Sequence, residues 1–138
     1  MIAVIRIKGM VGLREDIEET LDRLKLRRKF ACVVLREKPE LIGMIKKLES
    51  FVAYGRIDEK TLEELIKKRG KSPKKFEAEK ITKEFIESRA EKKLSDFGLN
   101  DIFRLHPPRG GFESKEHFPR GILGNHGEKI NELIRRML

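Results

Sequence analysis

The hydrophobic period of the first 57 residues switches back and forth between two and about 3.6, and this limits the folds open to the chain. Ile2 to Lys8 is a short, largely apolar run, with Ala3, Ile5 and Ile7 at odd positions and Ile2, Val4, Arg6 and Lys8 at even ones, the pattern of a strand. Leu13, Ile17, Leu21 and Leu24 then recur at helical spacing, with charged residues between them, and predict an amphipathic helix over 13–25. Phe30 to Arg36 returns to apolar and β-branched residues. Pro39 suits a first helical turn, where its missing N–H costs nothing, and Leu41, Ile42, Ile45 and Leu48 supply the buried stripe of a helix over 39–49. Phe51 to Arg56 is a third strand. A β-α-β-α-β order in so short a span requires helices laid on a small sheet: a two-layer α+β sandwich of ferredoxin-like character. Both helices are expected on one face. Arg6, Arg36 and Arg56 stand at even positions, and Ala3, Ile5, Ile7, Ala31, Val33 and Leu35 at odd ones. That parity points the odd set together towards the helices and leaves the other face less buried.

The next segment, 58–101, changes character. Asp58 is placed to cap a helix whose Leu62, Leu65 and Ile66 form a narrow apolar strip, and Gly70 ends it. Lys71 to Lys80 holds a Ser-Pro break among lysines and reads as an exposed basic loop, expected to exchange its amides quickly. Thr82 is the expected cap of a further helix, with Ile81 and Ile86 as a hydrophobic staple, Phe85, Ile86, Ala90 and Leu94 facing inward, and Gly98 closing it. The segment carries 12 basic and 11 acidic residues, a net of +1, so it reads as a helical extension and not as the main anionic-partner surface.

The last segment, 102–138, opens with Ile102 to Leu105, a candidate fourth strand. It continues into a Gly/Pro-rich stretch that opposes regular structure and displays Arg109, Lys115, His117, Arg120 and His126. A terminal helix starts at Asn125 or Gly127, with Ile130, Leu133, Ile134, Met137 and Leu138 on one face. The chain thus divides into a β-α-β-α-β core at 1–57, a helical extension at 58–101, and a basic loop with a terminal helix at 102–138.

Charge selects the class of partner. With 32 Lys+Arg against 23 Asp+Glu, the formal net charge is +9, which favours a polyanion. No stretch approaches the roughly 20 apolar residues of a spanning helix, and the start MIAVIRIKG carries charge too early for a secretory signal, so a membrane partner is not expected and a cytoplasmic location is. One cysteine, Cys32, rules out an internal disulfide framework. His106, His117 and His126 are spaced by no common zinc pattern, and neither Gly9–Gly12 nor Gly110–Gly111 continues into a phosphate-loop signature. No nucleophile–base arrangement is suggested. The expectation is a chain without cofactor, metal, small-molecule substrate or turnover.

The basic groups are the features that call for a function. Arg27, Arg28 and Lys29 join the first helix to the second strand, and Lys67 to Lys71 closes the third helix. Either cluster can also be read as favourable charge at a helix C-terminus. In the last segment Arg104, His106, Arg109, Lys115, His117, Arg120 and His126 are interleaved with Phe103, Phe112 and Phe118, so cations can neutralise phosphates while planar groups stack on unpaired bases. Arg27, Arg28, Lys29, Arg56, Arg104, His106, Arg109, Phe112, Lys115, His117, Arg120, Asn125 and His126 are the candidate RNA-binding residues.

Taken together, the blocks AVIRIKGMVGLRED, LKLRRKFACVVL, PELIGMIKKLESFVAYGRID, FRLHPPRGGF and GILGNHGEKINELIRRML resemble the archaeal and eukaryotic branch of the L-thirty family of large-subunit ribosomal proteins. The last two are the most specific, and the resemblance is thinnest over 71–97. The bacterial form is similar only to about residues 1–57. The resemblance implies a structural constituent of the large ribosomal subunit, bound to ribosomal RNA beside neighbouring ribosomal proteins. The residues alone also admit a free-standing RNA-binding regulator or RNA chaperone. A ferredoxin-like enzyme or ligand-sensing domain would need a clustered set of acids or metal ligands, of which the sequence gives no sign.

Overall fold

A computed structural model describes residues 1–8, 12–70, 77–87, 102–111 and 121–138. The expected alternation is present: β1 (Ile2–Arg6), α1 (Glu15–Arg23), β2 (Ala31–Leu35), α2 (Pro39–Lys47) and β3 (Val52–Arg56). They are followed by α3 (Glu59–Arg69), α4 (Ala78–Glu87), β4 (Ile102–Arg104), β5 (Gly124–Asn125), a 3₁₀ turn (Gly127–Lys129) and α5 (Ile130–Met137). The strands form one sheet in the order β4-β2-β1-β3-β5. All neighbours are antiparallel except β3 and β5. Both edges are thus supplied by the last segment, which pairs the outer backbone groups of β2 and β3 that would otherwise template aggregation.

Cross-strand partners share a face, so the register decides what each side buries. Val4 opposite Val33 and Tyr54 turns towards α1 and α2, where Ile17, Leu21, Leu24, Ile45 and Leu48 complete one apolar cluster. The β-α-β-α-β part is therefore the expected two-layer sandwich, with both helices on one side. Ala3 opposite Val34, and Ile5 opposite Cys32 and Ala53, turn the other way, against Leu62, Leu65 and Ile66 of α3, Ile81 and Phe85 of α4, and Ile130, Leu133, Ile134 and Met137 of α5. Two expectations fail here. The odd residues of β1 do not share a face with the odd residues of β2, and the second face is not the more open one, because α3, α4 and α5 close it. A strand buried on both sides needs no polar-apolar alternation, and β1 is buried at every position from Ala3 to Arg6, so its facing cannot be read from its pattern.

Local signals held at some ends and not at others. Asp58 caps α3 as expected, its Oδ1 accepting from the Thr61 N–H at 2.8 Å, and the helix ends before Gly70. Thr82, in contrast, is no cap. Helix α4 already begins at Ala78, the Ile81 N–H donates to the Glu77 carbonyl at 3.2 Å, and Thr82 sits buried inside the helix. Residues 78–80 therefore belong to α4 and not to the expected basic loop, while 71–76, Ala90, Leu94 and Gly98 lie outside the described residues.

Three contacts seat α5 on the sheet. A Cβ at Gly55 would stand 2.2 Å from the Gly127 carbonyl oxygen and 2.9 Å from Ile130 Cβ, so the backbones approach where no side chain fits. Asn131 is buried between the elements: its Oδ1 accepts from the Asp58 N–H at 3.0 Å, and its Nδ2 donates to the carbonyls of Glu128 at 2.8 Å and Arg56 at 3.3 Å. His126 is buried too. Its backbone N–H donates to the Tyr54 carbonyl at 2.7 Å, and its Nε2 lies 2.5 Å from the Ile122 carbonyl oxygen, which makes Nε2 the protonated nitrogen. Burial lowers the His126 pKa from its ordinary value, against the opposing pull of the Ile122 carbonyl.

Gly55→Ala is expected to destabilise the protein by about 1–3 kcal/mol, since the new methyl meets backbone and forces α5 to retreat; an unchanged denaturation midpoint would contradict the close approach. For His126 the folded pKa is the lower one, so the unfolded chain takes up the proton first as pH falls. Its stabilising contribution is complete above the ordinary histidine pKa and is lost as pH drops from there towards the folded value. Wild-type protein should therefore lose stability between pH 7 and 5, and His126→Gln, which keeps an N–H donor, should flatten that loss; parallel profiles would contradict it.

Candidate nucleic-acid interface

Helix α1 stops in a Schellman turn, with the Lys25 N–H donating to the Asp22 carbonyl at 3.0 Å and the Leu26 N–H to the Leu21 carbonyl at 2.8 Å. The turn places Lys25 at φ +62°, where glycine is the usual residue, and buries Leu26 beside Leu21. Arg27, Arg28 and Lys29 follow, all exposed. Phe30 then takes a second left-handed conformation, φ +63°. Its N–H donates to the Arg6 carbonyl at 2.7 Å and its carbonyl accepts from the Leu105 N–H at 3.1 Å, which fixes the end of the bend to β1 and to the end of β4. A bulky residue held at positive φ has to be over-determined by its surroundings, and these two bonds do that.

Arg6 supports the bend from below. It is 2% exposed, and its guanidinium donates from Nη1 to the Leu26 carbonyl at 2.7 Å and from Nε to the Lys8 carbonyl at 3.1 Å. Burial lowers its pKa, with Asp22 and Glu18 opposing. One buried arginine thus joins the end of β1 to the start of the basic bend. The neighbouring rings are covered: Lys8 Nζ stands 5.3 Å from the Phe51 centroid and Lys29 Nζ 5.1 Å from that of Phe30.

Beside the bend, Arg104 stands opposite Ala31 with its side chain exposed. The backbone N–H of His106 donates to the Met137 carbonyl at 3.1 Å, its Nδ1 lies 2.6 Å from the Pro107 carbonyl oxygen, and its Nε2 contacts the Leu138 carbonyl oxygen. A turn over Pro108–Gly111 is closed by the Gly111 N–H on the Pro108 carbonyl at 3.0 Å, and it carries Arg109 exposed near its tip. The described structure therefore gathers Arg27, Arg28, Lys29, Arg104 and His106 where β2 begins and β4 ends, with Arg109 one short turn beyond. Cations on a backbone fixed before binding suit the phosphates of a nucleic acid.

Other candidates lie elsewhere. Arg56 is at the opposite end of the sheet, paired in register with Ile2, and its Nε is 3.1 Å from Glu37 Oε1. Asn125 is on β5, the far edge, where its Oδ1 accepts from the Gly127 N–H at 2.9 Å. His126 is not displayed as expected but buried, because the two-residue strand β5 draws it under the sheet edge. Phe112, Lys115, His117 and Arg120 lie outside the described residues. Sequence reasoning missed Arg6 and Lys8 as parts of the basic end. A positive charge inside an apolar strand was the available signal for Arg6. Among the described residues no group of three His, Cys, Asp or Glu could hold a metal ion, and no helix is long and apolar enough to cross a membrane. Cys32 is fully buried, and burial pushes its thiol up to about 12.

Comparison with known proteins supplies the context for this surface. Residues 2–52 match the family described as Ribosomal protein L30p/L7e. The chain is 42% identical over 151 residues to the Large ribosomal subunit protein uL30 of Methanococcus vannielii, covering 99% of this chain and 98% of that one. It is 39% identical to the protein of the same name from Archaeoglobus fulgidus, covering 99% of both, and 36% identical to that of Nanoarchaeum equitans, covering 99% of this chain and 97% of that one. The similarity runs through the extension, including the segments that supply both sheet edges and α5, and on it the chain belongs to the Ribosomal protein L30p/L7e family.

Proposed function

We propose that this chain is a structural constituent of the large ribosomal subunit in the cytoplasm, and that it holds ribosomal RNA with the basic end of its sheet. The observation that carries the reading is the fixed bend Lys25–Phe30, whose Arg27, Arg28 and Lys29 stand next to Arg104 and His106 with Arg109 close by. In the same reading Phe112, Lys115, His117 and Arg120, which lie outside the described residues, also contact the RNA, and Arg56 and Asn125 make contacts at other edges of the sheet. Residues 1–57 are the RNA-binding core, 58–101 a helical extension, and 102–138 the segment that completes the sheet and carries the second group of cations. Neighbouring ribosomal proteins are the remaining partners. The family is not an enzyme class, and the role assigned here needs no turnover, cofactor or small-molecule substrate.

Phosphate contacts release counterions, so the salt dependence of binding counts them. Replacing Arg27, Arg28, Lys29 and Arg104 by alanine is expected to lower the slope of log K against log salt on protein-free large-subunit RNA by roughly 3–4 units. Replacing Lys46, Lys47, Lys67 and Lys68, which removes the same charge from α2 and α3, should lower it much less. Filter binding across a salt series makes the comparison, and equal slope losses would contradict the assignment. Co-sedimentation of the wild-type chain with large subunits at moderate salt separates a subunit constituent from a free-standing RNA-binding regulator.

A further inference from the structure

Arg136 stands on the last turn of α5, and its guanidinium is turned towards the loop. Nε and Nη2 donate to the Arg109 carbonyl at 3.1 and 3.0 Å, and Nη2 also reaches the Gly111 carbonyl. The backbone answers in the other direction, since the Arg109 N–H donates to the Arg136 carbonyl at 3.0 Å. Gly110 and Gly111 take φ +77° and +70°, the left-handed conformations that bring the carbonyls on either side of Gly110 round to one guanidinium. A planar fork with several fixed donors can hold two carbonyls at once, and a lysine ammonium cannot hold them in the same geometry.

Arg136 bonds to the backbone that carries Arg109, whose own side chain is exposed to solvent. An exposed cation on a backbone fixed before binding suits an anion, and in the function proposed above that anion is an RNA phosphate. We infer that Arg136 is a positioning residue for this RNA contact: it holds the Pro108–Gly111 turn so that Arg109 meets a phosphate. The inference rests on the reading of this end of the protein as the RNA-binding surface.

A double-mutant cycle on the full chain tests it, with protein-free large-subunit RNA as probe and affinity measured across a salt series. Arg109→Ala is expected to lower the slope by about one unit and the affinity by roughly tenfold. Arg136→Lys keeps the charge but loses the fork, and should reproduce the same losses. The double variant should bind no more weakly than Arg109→Ala alone. Adding Arg104→Ala to the Arg136→Lys background should lower the slope by about one further unit, which only a folded protein with the rest of its surface intact can show. The inference is overturned if Arg136→Lys binds as wild type, if the losses at 109 and 136 multiply, or if Arg104→Ala has no further effect. Should Arg109→Ala itself leave affinity and slope unchanged, the assignment of Arg109 to the RNA surface fails and the positioning role falls with it; should only Arg136→Lys be silent, that assignment stands and the positioning role alone is lost.

Discussion

The close approach of α5 to β3 at Gly55 is the contact on which the rest of the molecule depends. With Gly127 and Ile130 filling the space of a missing side chain, and Asn131 bonded to the backbone of Arg56, Asp58 and Glu128, the terminal helix is fixed against the sheet. Together with α3 and α4, its apolar face closes the cluster that holds Ala3, Ile5, Ile7 and Ala53, which the β-α-β-α-β core alone would leave to water. Its far end receives the loop: the carbonyls of Arg136 and Met137 accept from Arg109 and His106. The same docking thus completes the second face of the sheet, beside α3 and α4, and sets the position of the C-terminal cations.

On the other flank, the basic bend is held by backbone geometry and one buried charge. Lys25 and Phe30 occupy left-handed conformations that cost of order 1–2 kcal/mol each for residues with a Cβ. The Schellman bonds offset the first, and the links from Phe30 to Arg6 and Leu105 offset the second. Arg6 is costly to bury, and its guanidinium has the carbonyls of Leu26 and Lys8 to satisfy it. The result is a row of exposed cations whose spacing is settled before any partner arrives, which lowers the ordering cost of binding. Lys29 and Lys8 lie over the rings of Phe30 and Phe51, so under the proposed function this part of the surface would meet phosphates more than bases.

Element order, the two helices on one face, the Asp58 cap and the fourth strand were legible because each rests on a local signal several residues long. The facing of β1 was not, because burial on both sides erases alternation, and Arg6 at an even position suggested solvent where there is a carbonyl-lined interior. Strand β5 has two residues and no period at all, so nothing foretold that it would carry His126 beneath the sheet edge. Thr82 looked like a cap because threonine before apolar residues usually is one, but the first turn of α4 had already begun at Ala78. Within the candidate site, exposed cations were readable from composition and loop placement. Their supports were not: Arg6 reaches the carbonyl of Leu26 and Arg136 those of Arg109 and Gly111, all distant in sequence, and Lys25 fills a position where glycine would have announced the turn.

If α5 is as integral as the Gly55 contact makes it, the terminal helix and the central strands must open together. Native-state amide exchange of the full chain measures this directly. The account predicts that the amides of α5 exchange with the same opening free energy as those of β1 and β3, near the global value. Exchange from α5 at a small fraction of that free energy, with β1 and β3 still protected, would show a helix that frays independently of the sheet and would contradict the account.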